Sequence, residues 1–246
     1  MTWAVLLILA LALEVSTIKP ASEYFPICHK SDPDLAQCIK KSIETLRPKL
    51  VKGIPELHLV PLDPLFVPKL EMKDGHGNFK FRQTLTDLNI YGLRNFQIKN
   101  LTVDMDKNLI TIKCFTKTID FDGDYDMAGR MMVIDLKGKG RALFNFTDVT
   151  TTAWMENEVV TRDGVDYNRV KSLRWRIEPA NAKFHFTNLF NGDKTLGEAT
   201  NHFLNENWKE AFRIYRSLPE EAFGTLIKDL ANRVYTMFPR DELFPE

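Results

Sequence analysis

The stretch from Thr195 to Phe238 decides the fold, and it reads TLGEATNHFLNENWKEAFRIYRSLPEEAFGTLIKDLANRVYTMF. Its second half repeats apolar residues at steps of three and four, the spacing of one helix face: Phe223, Ile227, Leu230, Val234 and Phe238. Its first half spreads large apolar side chains around the helix: Leu196, Phe203, Leu204, Trp208, Phe212 and Tyr215. Pro219 either kinks one helix or begins a second. The stretch predicts a long, kinked helix that other parts of the chain must wrap.

An aromatic helix of this kind has two interpretations, and the spacing does not choose between them. The side chains either fill a solid core or line a cavity for an apolar ligand. Under the second interpretation, the candidate ligand-lining residues on the helix are Phe203, Phe212, Phe223 and Ile227.

The residues before this stretch, from about 79 to 190, predict antiparallel strands, because apolar and polar residues alternate between turn signals. The longest run of one parity is Met132, Ile134, Leu136, Gly138, Gly140, Ala142, Phe144 and Phe146. Lys139 and Arg141 take the other parity, so the apolar parity is assigned to the inside. The inward parity of this and the later strands adds six candidate ligand-lining residues: Phe144, Phe146, Leu173, Trp175, Phe184 and Phe186. Strands followed by an apolar helix predict an α+β fold, with a long curved antiparallel sheet around the helix.

The first residues predict a secretory signal peptide. The apolar run from Trp3 to Leu13 is too short to span a bilayer. We assign residues 1–18 to the signal, with cleavage between 13 and 22, and residues 23–246 to a single secreted domain. An uncleaved signal anchor is the alternative. We find no later run long enough for stable membrane insertion.

The segment that follows predicts one helix and then an extended edge. Asp32 and Pro33 suit a helix start, and Gly53 suits its end. Residues 54–70 carry four prolines, which exclude a helix or a central strand. Residues 75–78 predict a turn.

Composition and motifs give no sign of nucleic-acid binding, metal binding or catalysis. The 246 residues include 33 Lys+Arg and 33 Asp+Glu, and this zero net charge argues against a nucleic-acid partner. The five histidines lack metal-ligand spacing, and no nucleophile or phosphate-binding motif occurs. Asp120, Asp122, Asp124 and Asp126 alternate, but Tyr125 stands where a calcium loop needs glycine. We interpret them as the solvated face of a strand and expect no enzyme activity, cofactor or metal.

The cysteines and sequons agree with secretion. Cys28 and Cys38 are close enough in sequence to pair in an oxidising compartment, which leaves Cys114 unpaired. Asn100 and Asn145 begin two N-glycosylation sequons.

Several spaced motifs resemble those of the takeout / juvenile-hormone-binding protein family of insects. They lie at residues 25–28, 32–39, 46–48, 53–57, 61–65, 189–194, 204–208 and 242–246, and read FPIC, DPDLAQCI, LRP, GIPEL, PLDPL, LFNGDK, LNENW and ELFPE. The resemblance covers essentially the whole mature chain.

This resemblance implies a super-rolled sheet around a long helix, enclosing an apolar tunnel for a small lipid. It also places the family's N-terminal disulfide on Cys28 and Cys38. Moth-blood carriers of juvenile hormone have a second disulfide, and Cys114 alone cannot form one, which favours the takeout branch. The implied function is a secreted, monomeric carrier of a terpenoid, juvenile-hormone-like or fatty-acid-derived ligand. Links to feeding, circadian output or chemosensation through an unidentified receptor follow from the family alone. A ligand-free signalling protein and a lipid-modifying enzyme remain as alternatives.

Overall fold

A computed structural model describes residues 19–73, 82–131 and 134–246. The described residues form six α-helices: α1 Ala21–Tyr24, α2 Leu35–Lys52, α3 Lys194–Glu206, α4 Trp208–Tyr215, α5 Ser217–Tyr235 and α6 Arg240–Leu243. They form seven strands: β1 Leu65–Lys73, β2 Arg82–Tyr91, β3 Gln97–Asp104, β4 Leu109–Met131, β5 Ile134–Arg162, β6 Val165–Glu178 and β7 Asn181–Phe186. The predicted signal peptide, the predicted turn at 75–78, and Phe79, Phe81 and Met132 of the predicted strands lie outside the described residues.

Two long strands form the spine of a single antiparallel sheet. β4 pairs with β5 along its full length, from Leu109 opposite Glu156 to Met131 opposite Ile134, and β5 continues beyond it to Arg162. β3 pairs with the first part of β4 and β2 with its second part, and β1 extends the sheet beyond β2. On the other side, β7 and β6 pair with successive parts of β5. The predicted curved antiparallel sheet is confirmed.

The inner face of the sheet follows the predicted alternation. Along β5, Leu136, Ala142 and Phe146 are buried, whereas Lys137 and Lys139 are exposed. This in–out pattern is the one expected when one face of an antiparallel sheet packs on a core.

The C-terminal stretch is helical and divides into three consecutive helices, with junctions at Asn207 and Arg216. Arg216 keeps a helical backbone conformation, and Pro219 lies in the first turn of α5, the second of the two alternatives for this proline. Asn207 has non-helical angles (φ −108°, ψ 22°), and its side-chain Nδ2 donates to the Phe203 carbonyl at 2.9 Å beside the backbone bond to the same oxygen. Pro219 is the third residue of α5, where its missing N–H has no helical partner to lose.

Helices complete the enclosure that the sheet begins. α5 packs along β6 and also contacts β1, so it bridges the two edges of the sheet. At the other end, α2 covers β3 with a cluster that includes Ile39, Ile43, Ile98 and Leu101. Within the described residues, no helix has both the length and the apolar character needed to cross a membrane.

The N-terminal part agrees with the sequence in outline and differs at one boundary. α2 begins at Leu35 with Asp34 as its cap, two residues after the predicted Asp32, because the Asp34 carboxylate accepts from the Gln37 amide at 3.3 Å. It ends at Gly53, as predicted. β1 is an edge strand that contains Pro68, which fits the expected extended edge.

Candidate functional site

Aromatic side chains from three adjacent strands meet on the inner face of the sheet. Register places Phe121 of β4 opposite Phe144 of β5, and Phe144 opposite Phe184 of β7. Ring centroids lie 5.4 Å apart for Phe144 and Phe184, and 5.3 Å apart for Phe144 and Phe186. These distances and the edge-on angles are those of favourable aromatic pairs.

The helices contribute the opposite wall. Phe212 of α4 contacts Phe146 with ring centroids 5.9 Å apart, and Phe223 of α5 contacts Trp175 of β6 at 5.5 Å. The aromatic cluster therefore joins the sheet to the helices.

A cavity of about 130 Å³ lies between these walls. Its lining is almost wholly apolar and comprises Leu70, Met72, Gln83, Leu85, Phe121, Phe144, Phe146, Trp175, Ile177, Phe184, Phe186, Leu204, Ala211, Phe212, Arg216, Leu218, Pro219 and Phe223. Enclosure by aromatic and aliphatic side chains with few polar groups is the usual chemistry of a site for a small apolar ligand.

The structure brings seven of the predicted ligand-lining residues to this cavity: Phe144, Phe146, Trp175, Phe184, Phe186, Phe212 and Phe223. Leu173, Phe203 and Ile227 do not line it. Leu173 lies against Gly224 of α5, and Phe203 packs against the core of the sheet. Ile227 is half-buried one turn beyond the cavity on α5. Ligand contact by any of the ten stays a prediction.

Several lining residues were missed from the sequence. Phe121 and Ile177 share the inward strand parity and were identifiable from the alternation. Gln83 also has the inward parity, two residues before Leu85, but a polar side chain does not fit the apolar pattern that predicts a lining. Arg216 lies at the junction of α4 and α5, a position that the helix pattern does not reveal.

Paired asparagine side chains fix the helices against the sheet edges. The Phe184 amide donates to Asn205 Oδ1 and Asn205 Nδ2 donates to the Phe184 carbonyl, both at 2.8 Å. Asn201 makes the same two bonds with Phe186, both at 2.9 Å. On β6, the Val170 amide donates to Asn232 Oδ1 of α5 at 2.7 Å. The backbone groups at these edges have no further strand to bond, and the asparagine side chains supply their hydrogen-bond partners instead. The same bonds position α3 and α5 over the cavity.

Two glycines on the inner face of β5 allow the segment that follows β7 to pass close to the strand. A Cβ atom on Gly138 would lie 2.6 Å from the Tyr125 hydroxyl oxygen, and one on Gly140 would lie 2.6 Å from the Thr187 carbonyl oxygen. Only glycine admits this approach of the segment that leads from β7 to α3. The Tyr125 hydroxyl donates to the Thr187 carbonyl at 2.6 Å, which holds the segment there.

Two further hollows differ from this cavity. A groove of about 1130 Å³ lies over the outer face of β4, β5 and β7, and polar residues such as Asp120, Lys183 and Glu210 line much of it. A smaller cavity of about 60 Å³ lies near Tyr235, at the end covered by α2. The outer groove is open to water and offers an apolar ligand little burial, so the aromatic cavity is the better candidate site.

The remaining predicted residues lie away from the cavity. Cys28 and Cys38 form a disulfide that ties the N-terminal tail to α2, and Cys114 is free. The Asn100 side chain is exposed on β3, whereas Asn145 donates to Asp120 Oδ1 at 2.6 Å on the outer face.

The predicted solvated face of β4 is held by ion pairs. Asp122 and Asp124 both pair with Arg141, at 2.7 and 3.2 Å.

Comparison with known proteins gives matches along nearly the full chain. The family model for haemolymph juvenile hormone binding protein matches residues 4–245. The "Circadian clock-controlled protein daywake" of Drosophila melanogaster is 26% identical over 242 residues, covering 94% of this chain and 92% of that protein. The "Putative beta-carotene-binding protein" of Schistocerca gregaria is 24% identical over 218 residues, covering 87% of this chain and 86% of that protein.

A solved structure has the same fold. The crystal structure of Takeout 1 from Epiphyas postvittana superposes with a TM-score of 0.74 at 23% identity, covering 89% of this chain and 99% of that one. The two share a curled antiparallel sheet accompanied by helices. The family model spans almost every residue of the sequence, and the chain therefore belongs to the haemolymph juvenile hormone binding protein family.

Proposed function

We propose that this chain is a carrier that shields a small hydrophobic ligand from water in the cavity between the sheet and α4–α5. The observation that carries this proposal is the aromatic lining, to which strands and helices both contribute. The family match supports it, since the family model is that of a hormone-binding protein of the haemolymph.

Apolar burial alone supplies enough free energy for such a carrier. Burying about 15 carbons at roughly 0.8 kcal/mol each contributes about 12 kcal/mol. Association costs of at least about 4 kcal/mol leave about 8 kcal/mol, which corresponds to micromolar affinity. The ligand class therefore depends on shape and on a few polar groups rather than on a strong charged anchor.

The cavity must enlarge to take a ligand of that size. Its 130 Å³ is below the roughly 300–1,000 Å³ of most small-molecule sites. We expect the lining side chains to move outward on binding. The cavity can therefore adapt its shape to the ligand. Terpenoid, juvenile-hormone-like and fatty-acid-derived molecules are all candidate ligands.

We further propose that the chain acts outside the cell as one domain. Residues 1–18 would serve as the signal peptide and residues 23–246 as a monomeric carrier domain. The disulfide between Cys28 and Cys38 fits an oxidising compartment. Asn100 and Asn145 remain the proposed glycan sites, with Asn100 the more exposed. The relation to the circadian protein of Drosophila supports a role in circadian output, with feeding and chemosensation as the other physiological settings.

The proposal is tested by filling the cavity. Ala211 lines it from α4, whereas Ala199 is exposed on α3. Ala211→Phe should abolish binding of the fluorescent apolar probe 1-N-phenylnaphthylamine, because the new ring occupies the ligand space. Ala199→Phe, the matched control, should bind like the unchanged protein. Equal binding by both variants, with both folded by circular dichroism, would place the probe elsewhere.

The two alternative functions predict other outcomes. A ligand-free signalling protein would bind neither the probe nor any extracted lipid. A lipid-modifying enzyme would convert a bound ester to acid and alcohol, which chromatography of the incubated ester would detect. For the carrier, we expect the ester to be recovered intact.

A further inference from the structure

The cavity contains a buried amide that its protein surroundings do not satisfy. Gln83 is only 7% exposed and lines the cavity. Its Nε2 is fully buried and has no hydrogen-bond partner within residues 19–73, 82–131 and 134–246. A buried donor without an acceptor costs about 1–3 kcal/mol, so the position is unfavourable for folding alone.

The neighbours of Gln83 explain why it lacks a partner. In the sheet it lies between Met72 of β1 and Met127 of β4. Both methionines are buried, and a thioether sulfur is only a weak acceptor. Leu85, the next inward residue on β2, is apolar. The described neighbours supply no acceptor for the amide, so an occupant of the cavity can supply one once the side chain turns Nε2 towards it.

A cation lines the same cavity from the other wall. Arg216 is half-buried at the junction of α4 and α5. Its guanidinium makes no hydrogen bond or ion pair with another described residue. The described lining also includes no Asp or Glu. The Glu220 carboxylate, one turn along α5, accepts from the Ile177 amide at 3.3 Å and forms no ion pair with Arg216 within the described residues. The described lining thus offers two donors, an amide and a guanidinium, and no anion.

We propose that the cavity selects an amphipathic ligand whose polar end is a carboxylate, such as a fatty acid or a terpenoid acid. This proposal rests on the carrier function above and specifies its ligand class. The carboxylate accepts from Gln83 and compensates the charge of Arg216, while the apolar chain packs among Phe144, Phe184 and Phe223. Charge-assisted bonds of this kind are about twice as strong as neutral ones, particularly away from water.

An ester or an alcohol satisfies this arrangement less well. An ester oxygen accepts from Gln83 but leaves the guanidinium without a counter-charge. An alcohol adds a donor to a site that already has two donors. The structure therefore predicts discrimination by the charge of the head group at equal chain length.

The test measures binding of dodecanoic acid and methyl dodecanoate to the purified full chain at pH 7.4, by displacement of 1-N-phenylnaphthylamine. We expect the acid to bind about tenfold more tightly than the ester. Arg216→Met should weaken the acid about tenfold and leave the ester unchanged. Gln83→Leu should weaken the acid and also raise the melting temperature, because it removes the unpaired donor. Gln83→Met provides a second variant of similar length if the leucine variant does not fold.

The outcomes separate this inference from the carrier proposal. Equal binding of acid and ester by the unchanged protein overturns the carboxylate proposal and leaves the carrier intact. Loss of acid and ester binding together in Arg216→Met shows a structural role for Arg216 and also overturns it. Displacement of the probe by neither compound, or no binding of the probe at all, contradicts the carrier proposal itself.

Discussion

Among single residues, truncation of a phenylalanine should cost different amounts of stability at the cavity wall and in the solid core. Phe223 lines the cavity, whereas Phe238 is 2% exposed in a second cluster with Tyr24 and Leu57. Truncation of a close-packed ring opens a new void, while truncation at the cavity enlarges a space that already exists.

We therefore expect Phe223→Ala to destabilise the protein less than Phe238→Ala, for which the usual cost of Phe→Ala is about 3–5 kcal/mol. Phe223→Ala should also shift preference towards bulkier ligands. Chemical denaturation of both variants, with and without an apolar ligand, measures the difference. A large loss for Phe223→Ala that no ligand restores would assign Phe223 to the solid core.

Cys114 is expected to be an inert thiol. Burial raises the pKa of the Cys114 thiol to about 11, and the Arg47 guanidinium lowers it by less. At pH 8 only about one molecule in a thousand then carries the reactive thiolate. Alkylation by iodoacetamide should be slow in the native protein and fast in denaturant. Equal rates in the two states would contradict this.

The sequence predicted residues on strands better than residues on helices. Alternation in a strand identifies its inner face without further information, and the structure places Phe144 and Phe184 beside the cavity on that face. Ile227 was assigned to the cavity because helix spacing identifies a face but not how far along that face the cavity extends. Gln83 was missed because its meaning depends on which residues surround it across β1 and β4.

Among the elements, the C-terminal helix shows which junctions a sequence signals. Pro219 lies in the first turn of α5, as one of its two predicted alternatives required, whereas the junction at Asn207 was not predicted. The junctions at Asn207 and Arg216 bound α4, from which Ala211 and Phe212 line the cavity. Local propensity does not encode these junctions strongly, since Asn207 is only moderately unfavourable in a helix.

The asparagines that join α3 to β7 should contribute measurably to the free energy of unfolding. Asn205→Ala removes both partners of the Phe184 backbone, and each partly buried group left unpaired costs about 1–3 kcal/mol. We expect a lower denaturation midpoint and faster hydrogen exchange at the Phe184 amide. Glu198→Ala, an exposed change on the same helix, is the control and should be nearly neutral. Unchanged exchange at Phe184 in Asn205→Ala would show that the bonds contribute nothing.

At the scale of the whole molecule, two long strands and one bridging helix create the enclosed interior. The sequence predicted the α+β class and the curved sheet, partly from alternation and partly from family resemblance. It did not predict that β2 and β3 share one side of β4, or that β7 and β6 share one side of β5. Whether two short strands pair one after the other along the same long strand depends on where the long strand bends. Local sequence patterns do not specify that position.

An apolar molecule held in this interior can be detected by native mass spectrometry of the purified secreted chain. We predict that the unchanged protein carries an additional mass of a few hundred daltons, released on denaturation and extractable into organic solvent. Ala211→Phe should lose that mass while keeping its fold. A protein that never carries such a mass, even after incubation with lipid extract, would contradict the account.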